Sequence, residues 1–234
     1  MSSLTSNLKS HIQSDIKKNL KNKLKIVIGD KNLSSWSMRP WLVLKASGLP
    51  FREEQILLDR PSTKARLAKV SPSGRVPVLY WCDVAIWDSL AISELIAELA
   101  PDAELWPGDA VDRAVARSYV AEMHSGFSAL RDQLSMTLSL RMTIAHLSTA
   151  TISDIHRILH LWREALGKSK GPFLFGKFGI VDAFYAPVVF RFLSYGIAIK
   201  DRKILRYMEF VQRHPAVVEW VNGAQAEKPW IERF

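Results

Sequence analysis

The chain has 234 residues, 48% of them hydrophobic, which is enough for one large domain or two modest ones around a substantial core. Cys82 is its only cysteine, which excludes an internal disulfide, a cysteine-rich zinc site and a dithiol redox pair and suits a reducing compartment; no apolar run nears the roughly 20 residues of a membrane span. The formal charge of +9 would suit an acidic partner such as nucleic acid or an anionic membrane, but Lys9, Lys17, Lys18, Lys21 and Lys23 stand against Asp15 alone, so much of it is local to the tail.

In that tail, residues 1–23, Leu4, Leu8, Ile12, Ile16 and Leu20 recur every four residues and would form an apolar stripe opposite a lysine-rich face. With no arginine and no small-residue cleavage site after an apolar block, it reads as a basic surface extension rather than a targeting leader. Leu24 to Ile28 is a short apolar run rich in β-branched residues, broken by Gly29-Asp30-Lys31-Asn32, which predicts a buried strand entering a loop. Arg39 to Gly48 reads as a helix with Pro40 in its first turn and Gly48 closing it. Ser34, Ser35 and Ser37 would then lie at a helix N-terminus, where unpaired N–H groups and the macrodipole favour an anion; a serine there is equally a helix cap.

Phe51 to Leu58 predicts a second strand and Ser62 to Val70 a short helix. Val78 to Trp81 and Val84 to Trp87 predict a hairpin around Cys82-Asp83, with Pro77 at a strand start as a candidate cis proline. Asp88-Ser89 precedes the amphipathic run Leu90 to Leu99, for which Ser89 is a suitable cap. Unpaired N–H groups beside a carboxylate would suit the amino and carboxyl ends of an amino-acid-like ligand. Residues 101–108 read as a linker, and residues 109–234 as helices throughout: 109–140, 151–166, a nearly apolar stretch 181–195, then 203–213 and 215–226. His156 and His160 have the i, i+4 spacing of a metal pair but no third ligand, so no metal is expected. Lys64 and Arg75 could meet a carboxylate, although solvated surface charges explain them as well.

The order Ser34-Ser35, Val76-Pro77 and Asp88-Ser89, carried on strand, helix, strand, helix, hairpin and helix, resembles the cytosolic glutathione transferases over nearly everything after the tail. The resemblance implies an α/β thioredoxin-like N-terminal domain (24–100), a linker (101–108) and an all-α C-terminal domain (109–234). It further implies glutathione as co-substrate, with Val76 pairing its backbone with the cysteinyl part and Asp88 and Ser89 holding the γ-glutamyl group. Many members carry Glu or Gln where this chain has Asp88. The serine cluster is most similar to zeta-like bacterial members, whose loop reads Ser-Ser-Cys-Ser-x-Arg and whose first serine stabilises the thiolate. By that resemblance Ser34 is the catalytic residue and Ser35 its glutathione-binding neighbour. Trp36 replaces the cysteine, which argues against the zeta isomerase reaction and against loop-cysteine reductases. The implied function is transfer of the glutathione thiolate to a small electrophile by a cytoplasmic homodimer, with no specific nucleic acid partner and no transmembrane segment. The alternatives are a non-catalytic binding protein that keeps the fold, and a glutathione-dependent isomerase of the zeta type.

Overall fold

The computed structural model describes residues 23–142, 144 and 146–227, so the amphipathic stretch expected in the tail lies outside the described residues. The first half runs β1 (Leu24–Ile28), α1 (Ser35–Ser47), β2 (Arg52–Gln55), α2 (Thr63–Val70), β3 (Val78–Trp81), β4 (Val84–Ile86) and α3 (Ser89–Leu99). The sheet order is β2-β1-β3-β4, with β1 and β2 parallel and the other pairs antiparallel. Strand alternation sends Leu24, Ile26 and Ile28 to the main core and Val27 to a smaller cluster with Ile56, Leu67 and Val78. A strand covered on both faces reads as an unbroken apolar run, which is why β1 is plain in the sequence. This is the expected thioredoxin-like α/β layer.

Two helix starts differ from expectation. α1 begins at Ser35, with Ser34 as its cap, rather than at Arg39. Pro40 therefore sits in the helix interior, where its missing N–H leaves the Trp36 carbonyl without its usual i+4 donor. At α3 the cap is Asp88, not Ser89: Asp88 Oδ1 accepts from Leu90 N at 2.7 Å, and Ser89 is the first helical residue. The longer carboxylate reaches the second turn position from an extended backbone, which frees the Ser89 hydroxyl from capping.

The second half is helical: α4 (Ala110–Ser125), α5 (Ser128–Gln133), α6 (Thr149–Lys168), α7 (Ile180–Ser194), α8 (Arg202–Arg213) and α9 (Pro215–Ala226). The single helix expected over 109–140 is broken. Gly126 is extended and Phe127 left-handed at φ 59°, and among the described residues no regular element follows α5 until α6. The helical spacing of apolar residues persists across the break because Phe127, Leu130, Leu134, Met136 and Leu138 still turn into the core. α7 is buried almost throughout and packs against α1, α4 and α8, so it ties the helical half to the sheet half.

The start of α7 carries half of a capping box: Gly179 stands at the cap, where a box has Ser or Thr, and Asp182 Oδ2 accepts from Gly179 N at 3.0 Å. A Cβ on Gly179 would lie 2.6 Å from the Leu105 carbonyl oxygen, which is itself held by Ile180 N at 3.1 Å. Only the acid half of the box fits against that carbonyl. Gly179→Ser, which supplies the missing hydroxyl of the box, is therefore expected to destabilise by about 1–3 kcal/mol in denaturant unfolding; a gain in stability would contradict the account.

Candidate active site

The serine loop is built from backbone turns. Leu33 N and Ser34 N both donate to the Asp30 carbonyl, and Leu58 N donates to Asp30 Oδ2 at 2.6 Å. The helical half clamps this loop. Asn32 Oδ1 accepts from Leu138 N and Ser139 N, Trp220 Nε1 donates to the Lys31 carbonyl, and Glu227 accepts from Lys31 N and Asn32 N. The loop is thus fixed from both sides before any ligand arrives.

Ser34 and Ser37 form a buried pair. Ser34 Oγ accepts from Ser37 N at 3.3 Å and lies 2.8 Å from Ser37 Oγ, while Gly29 N donates to Ser37 Oγ at 3.0 Å. Ser35 turns the other way, its Oγ accepting from Arg191 Nη2 on α7 at 3.3 Å. Trp36 projects from the first turn between two cations. The Arg39 and Arg131 guanidinium carbons lie 4.3 and 5.0 Å from its ring, and His124 meets it edge-on at 5.3 Å.

Beside Trp36 opens a cavity of about 270 Å³, walled by Trp36, Ser73, Arg75, Val76, Pro77, Trp87, Asp88 and Ser89. The Val76–Pro77 bond is cis, as is Trp87–Asp88. Ser89 is 1% exposed and its Oγ has no hydrogen-bond partner among the described residues. A buried hydroxyl without a partner at the wall of a cavity leaves a hydrogen bond open to whatever occupies that cavity. Asp88 uses one carboxylate oxygen on the α3 cap, and the other lies 3.4 Å from His124 Nε2. Burial draws the His124 imidazole below the usual histidine range even though Asp88 opposes the shift.

Val76, Asp88 and Ser89 thus come together in one cavity, joined by Arg75; Lys64 does not line it. Ser34 and Ser35 do not line it either. They lie in the chain between Trp36, which does, and Leu33, which lines a second cavity. Trp36 stands out in the sequence as the replacement of the loop cysteine, but no spacing or motif marks His124, Arg131 or Arg191 as site residues. The last three come from helices far along the chain, and only tertiary packing brings them to the loop.

A four-stranded thioredoxin-like domain with a cis proline at β3, backed by a helical domain, defines a fold class. Comparison with known proteins agrees: residues 33–99 match the glutathione S-transferase N-terminal domain and residues 109–223 its C-terminal domain, and the chain belongs to the glutathione S-transferase family. It is similar to a probable maleylacetoacetate isomerase of Caenorhabditis elegans, 32% identical over 98 residues. That match spans 42% of this chain and 45% of the relative, less than half the length of either. Two solved structures share the fold. A glutathione transferase homologue from Burkholderia with bound glutathione is 24% identical, with a TM-score of 0.69 over 88% of this chain and all of that one. A glutathione S-transferase from the Antarctic clam Laternula elliptica is 22% identical, with a TM-score of 0.70 over 88% of this chain and 95% of the other. Among the described residues no helix is long and apolar enough to cross a membrane.

Proposed function

We propose that the protein is a glutathione transferase that joins the glutathione thiolate to a small electrophile. The observation that carries this is the unpartnered, buried Ser89 hydroxyl beside Asp88 in the cavity of the cis Val76–Pro77 turn. The γ-glutamyl end of glutathione carries an ammonium and a carboxylate. Asp88 offers an acceptor to the first, and Ser89, at the positive end of α3, a donor to the second. Val76 would pair its backbone with the cysteinyl unit, and Arg75 stands in the same wall for the glycyl carboxylate. The Burkholderia homologue's bound glutathione supports the ligand assignment.

Ser34 is assigned to the thiolate. In the free protein its proton goes to Ser37 Oγ. When sulfur arrives, Ser37 can turn its own proton to Ser34 Oγ, keeping the Gly29 N–H as donor, and Ser34 then donates to sulfur. A free thiol titrates near about 8.5, and one charge-assisted hydrogen bond with a helix N-terminus supplies about one to two units of depression. The thiolate then forms the carbon–sulfur bond, and the leaving group departs with the bonding pair. Ser35, held by Arg191, supports the loop in this scheme and neighbours the ligand without being its main donor.

The division at residues 101–108 into a glutathione-binding part (24–100) and a helical part (109–234) belongs to this reading, as do a cytoplasmic location and a homodimer. Exposed Val84, Trp87, Val111 and Val115 supply apolar surface for a partner copy. A second reading, glutathione binding without thiol activation, is favoured by one observation: the Ser34 hydroxyl is engaged by Ser37 and outside the cavity wall. Calorimetric titration with glutathione tests both. Wild type is expected to bind, and Asp88→Ala to weaken binding by about 10- to 100-fold. Absence of wild-type binding would sink either reading.

A further inference from the structure

A cavity of about 530 Å³ lies between the end of α6, the turn that follows it and α8, and shares no lining residue with the cavity beside Asp88. Lys203, Arg206, Tyr207 and Phe210, spaced i, i+3, i+4 and i+7, make one face of α8, and that face is one wall. The turn supplies the other. It is fixed by its own hydrogen bonds, Ser169 Oγ donating to the Phe173 carbonyl at 2.6 Å and accepting from Gly171 N at 3.2 Å. Both walls are in place before any ligand arrives.

Lys170, Lys203 and Arg206 line this space, and among the described residues none of them lies within 4.0 Å of a carboxylate. Asp201, two residues before Lys203, is engaged elsewhere: it caps α8 through Lys203 N and Ile204 N and accepts from Arg163 Nε at 3.1 Å. Because Asp201 already takes those N–H groups, the site is the cavity and its side chains and not the helix end. Unpaired cations on a surface are ordinary, but these are placed against the interest of the fold. Lys203 stands in the first turn of α8, where the macrodipole disfavours a cation, and Arg206 follows at i+3, so the two repel. Lys170 brings a third like charge to the same concavity from another element. No contact among the described residues offsets this arrangement, and concave apolar walls focus its positive potential.

The rest of the lining is apolar. Leu166, Pro172 and Phe210 contribute to it, and Tyr207, 1% exposed with its hydroxyl buried beside Asp182, presents its ring. The Arg206 guanidinium carbon lies 5.6 Å from the Phe210 ring, so charge and aromatic surface adjoin. We propose that this cavity binds a nucleoside di- or triphosphate, its phosphates meeting Lys170, Lys203 and Arg206 and its base lying against Phe210 and Pro172. A single carboxylate would leave two of the three cations unmatched, whereas a polyphosphate carries enough charge for all of them. A base has the flat face that an aromatic ring and a guanidinium both accept, and the volume falls within the range of about 300–1,000 Å³ usual for small-ligand sites. The site does not depend on the glutathione reading.

The test is calorimetry on the full chain with magnesium-free ATP, adenosine and inorganic triphosphate, each with and without saturating S-methylglutathione. ATP is expected to bind, adenosine not to bind, triphosphate to bind at least tenfold more weakly than ATP, and S-methylglutathione not to displace ATP. Lys203→Gln and Arg206→Gln are each expected to weaken ATP at least fivefold; both side chains are exposed, so neither change threatens the fold. Phe210→Leu is expected to weaken ATP several-fold and to leave triphosphate unchanged. Lys69→Gln, at an exposed position on α2, is expected to change nothing. Absence of ATP binding, or binding that survives both Lys203→Gln and Arg206→Gln, would overturn the proposal. So would binding that triphosphate matches, which marks a diffuse basic surface, or that S-methylglutathione abolishes, which places ATP beside Asp88. ATP bound as described by a protein that ignores S-methylglutathione would uphold this site and count against the glutathione reading alone.

Discussion

Ser34→Ala is expected to lower conjugation with an activated aryl chloride about 10- to 100-fold at neutral pH, while glutathione affinity changes less than about threefold. The asymmetry follows from where the residue acts. In the proposed reading Asp88, Ser89 and Val76 hold the tripeptide in a cavity that Ser34 does not line, so its hydroxyl contributes to the charged sulfur and not to the bound ligand as a whole. Two effects must be separated. Ser34 also caps α1, and loss of a serine cap costs about 1 kcal/mol of stability. Ser34→Thr keeps both the cap and the hydroxyl and is expected to retain most of the rate. Ser37→Ala removes the group proposed to free the Ser34 proton and is expected to show a smaller rate loss of the same kind. Equal loss of rate and of affinity in Ser34→Ala would place the residue in binding.

Asp182→Ala is expected to be among the most destabilising substitutions in the chain, by about 3–5 kcal/mol in denaturant unfolding. Asp182 is 1% exposed, and its two oxygens accept from Leu174 N at 3.1 Å and Gly179 N at 3.0 Å. Alanine would leave two buried N–H groups without partners at the start of the helix that joins the two halves. The carboxyl also sets a pH dependence. Burial pushes it up to about 7, against the two N–H donors; the Tyr207 phenol adjoins it and opposes the shift too, though without hydrogen-bond geometry. Between the unfolded value of 3.8 and about 7, the folded chain binds this proton more tightly than the unfolded chain does. Its contribution to stability is therefore present at low pH and falls as pH rises through that window. Asp182→Asn lacks the effect, so the stability advantage of wild type over this variant is expected to shrink by on the order of 3 kcal/mol from about pH 5 to about pH 8. An advantage that grew with pH would show that the two N–H donors win over burial.

The sequence carried most of the fold because its elements are locally specified. β1 is an apolar β-branched run, the β3–β4 hairpin turns at Cys82-Asp83, and α7 is nearly apolar because it is buried around almost its whole circumference. The errors have physical causes. Pro40 mimics a first-turn signal, although α1 starts five residues earlier under the Ser34 cap. Asp88 and Ser89 are both good caps, and only the extended backbone at Asp88 decides between them. The break at Gly126–Phe127 is silent because the residues after it still bury their apolar side chains. The cavity proposed for glutathione was legible in part, since Val76, Asp88 and Ser89 lie within one short stretch. Arg39, Arg131 and Arg191 are separated by many elements, and no spacing rule links them.

The most direct test of the central claim is the ultraviolet absorbance of the bound thiolate, recorded across pH for glutathione saturating the wild-type protein. The account predicts a thiol midpoint about one to two units below the free value near 8.5, with the depression largely lost in Ser34→Ala. Glutathione that binds tightly yet titrates like the free thiol would contradict it, leaving a protein that holds the tripeptide without activating it.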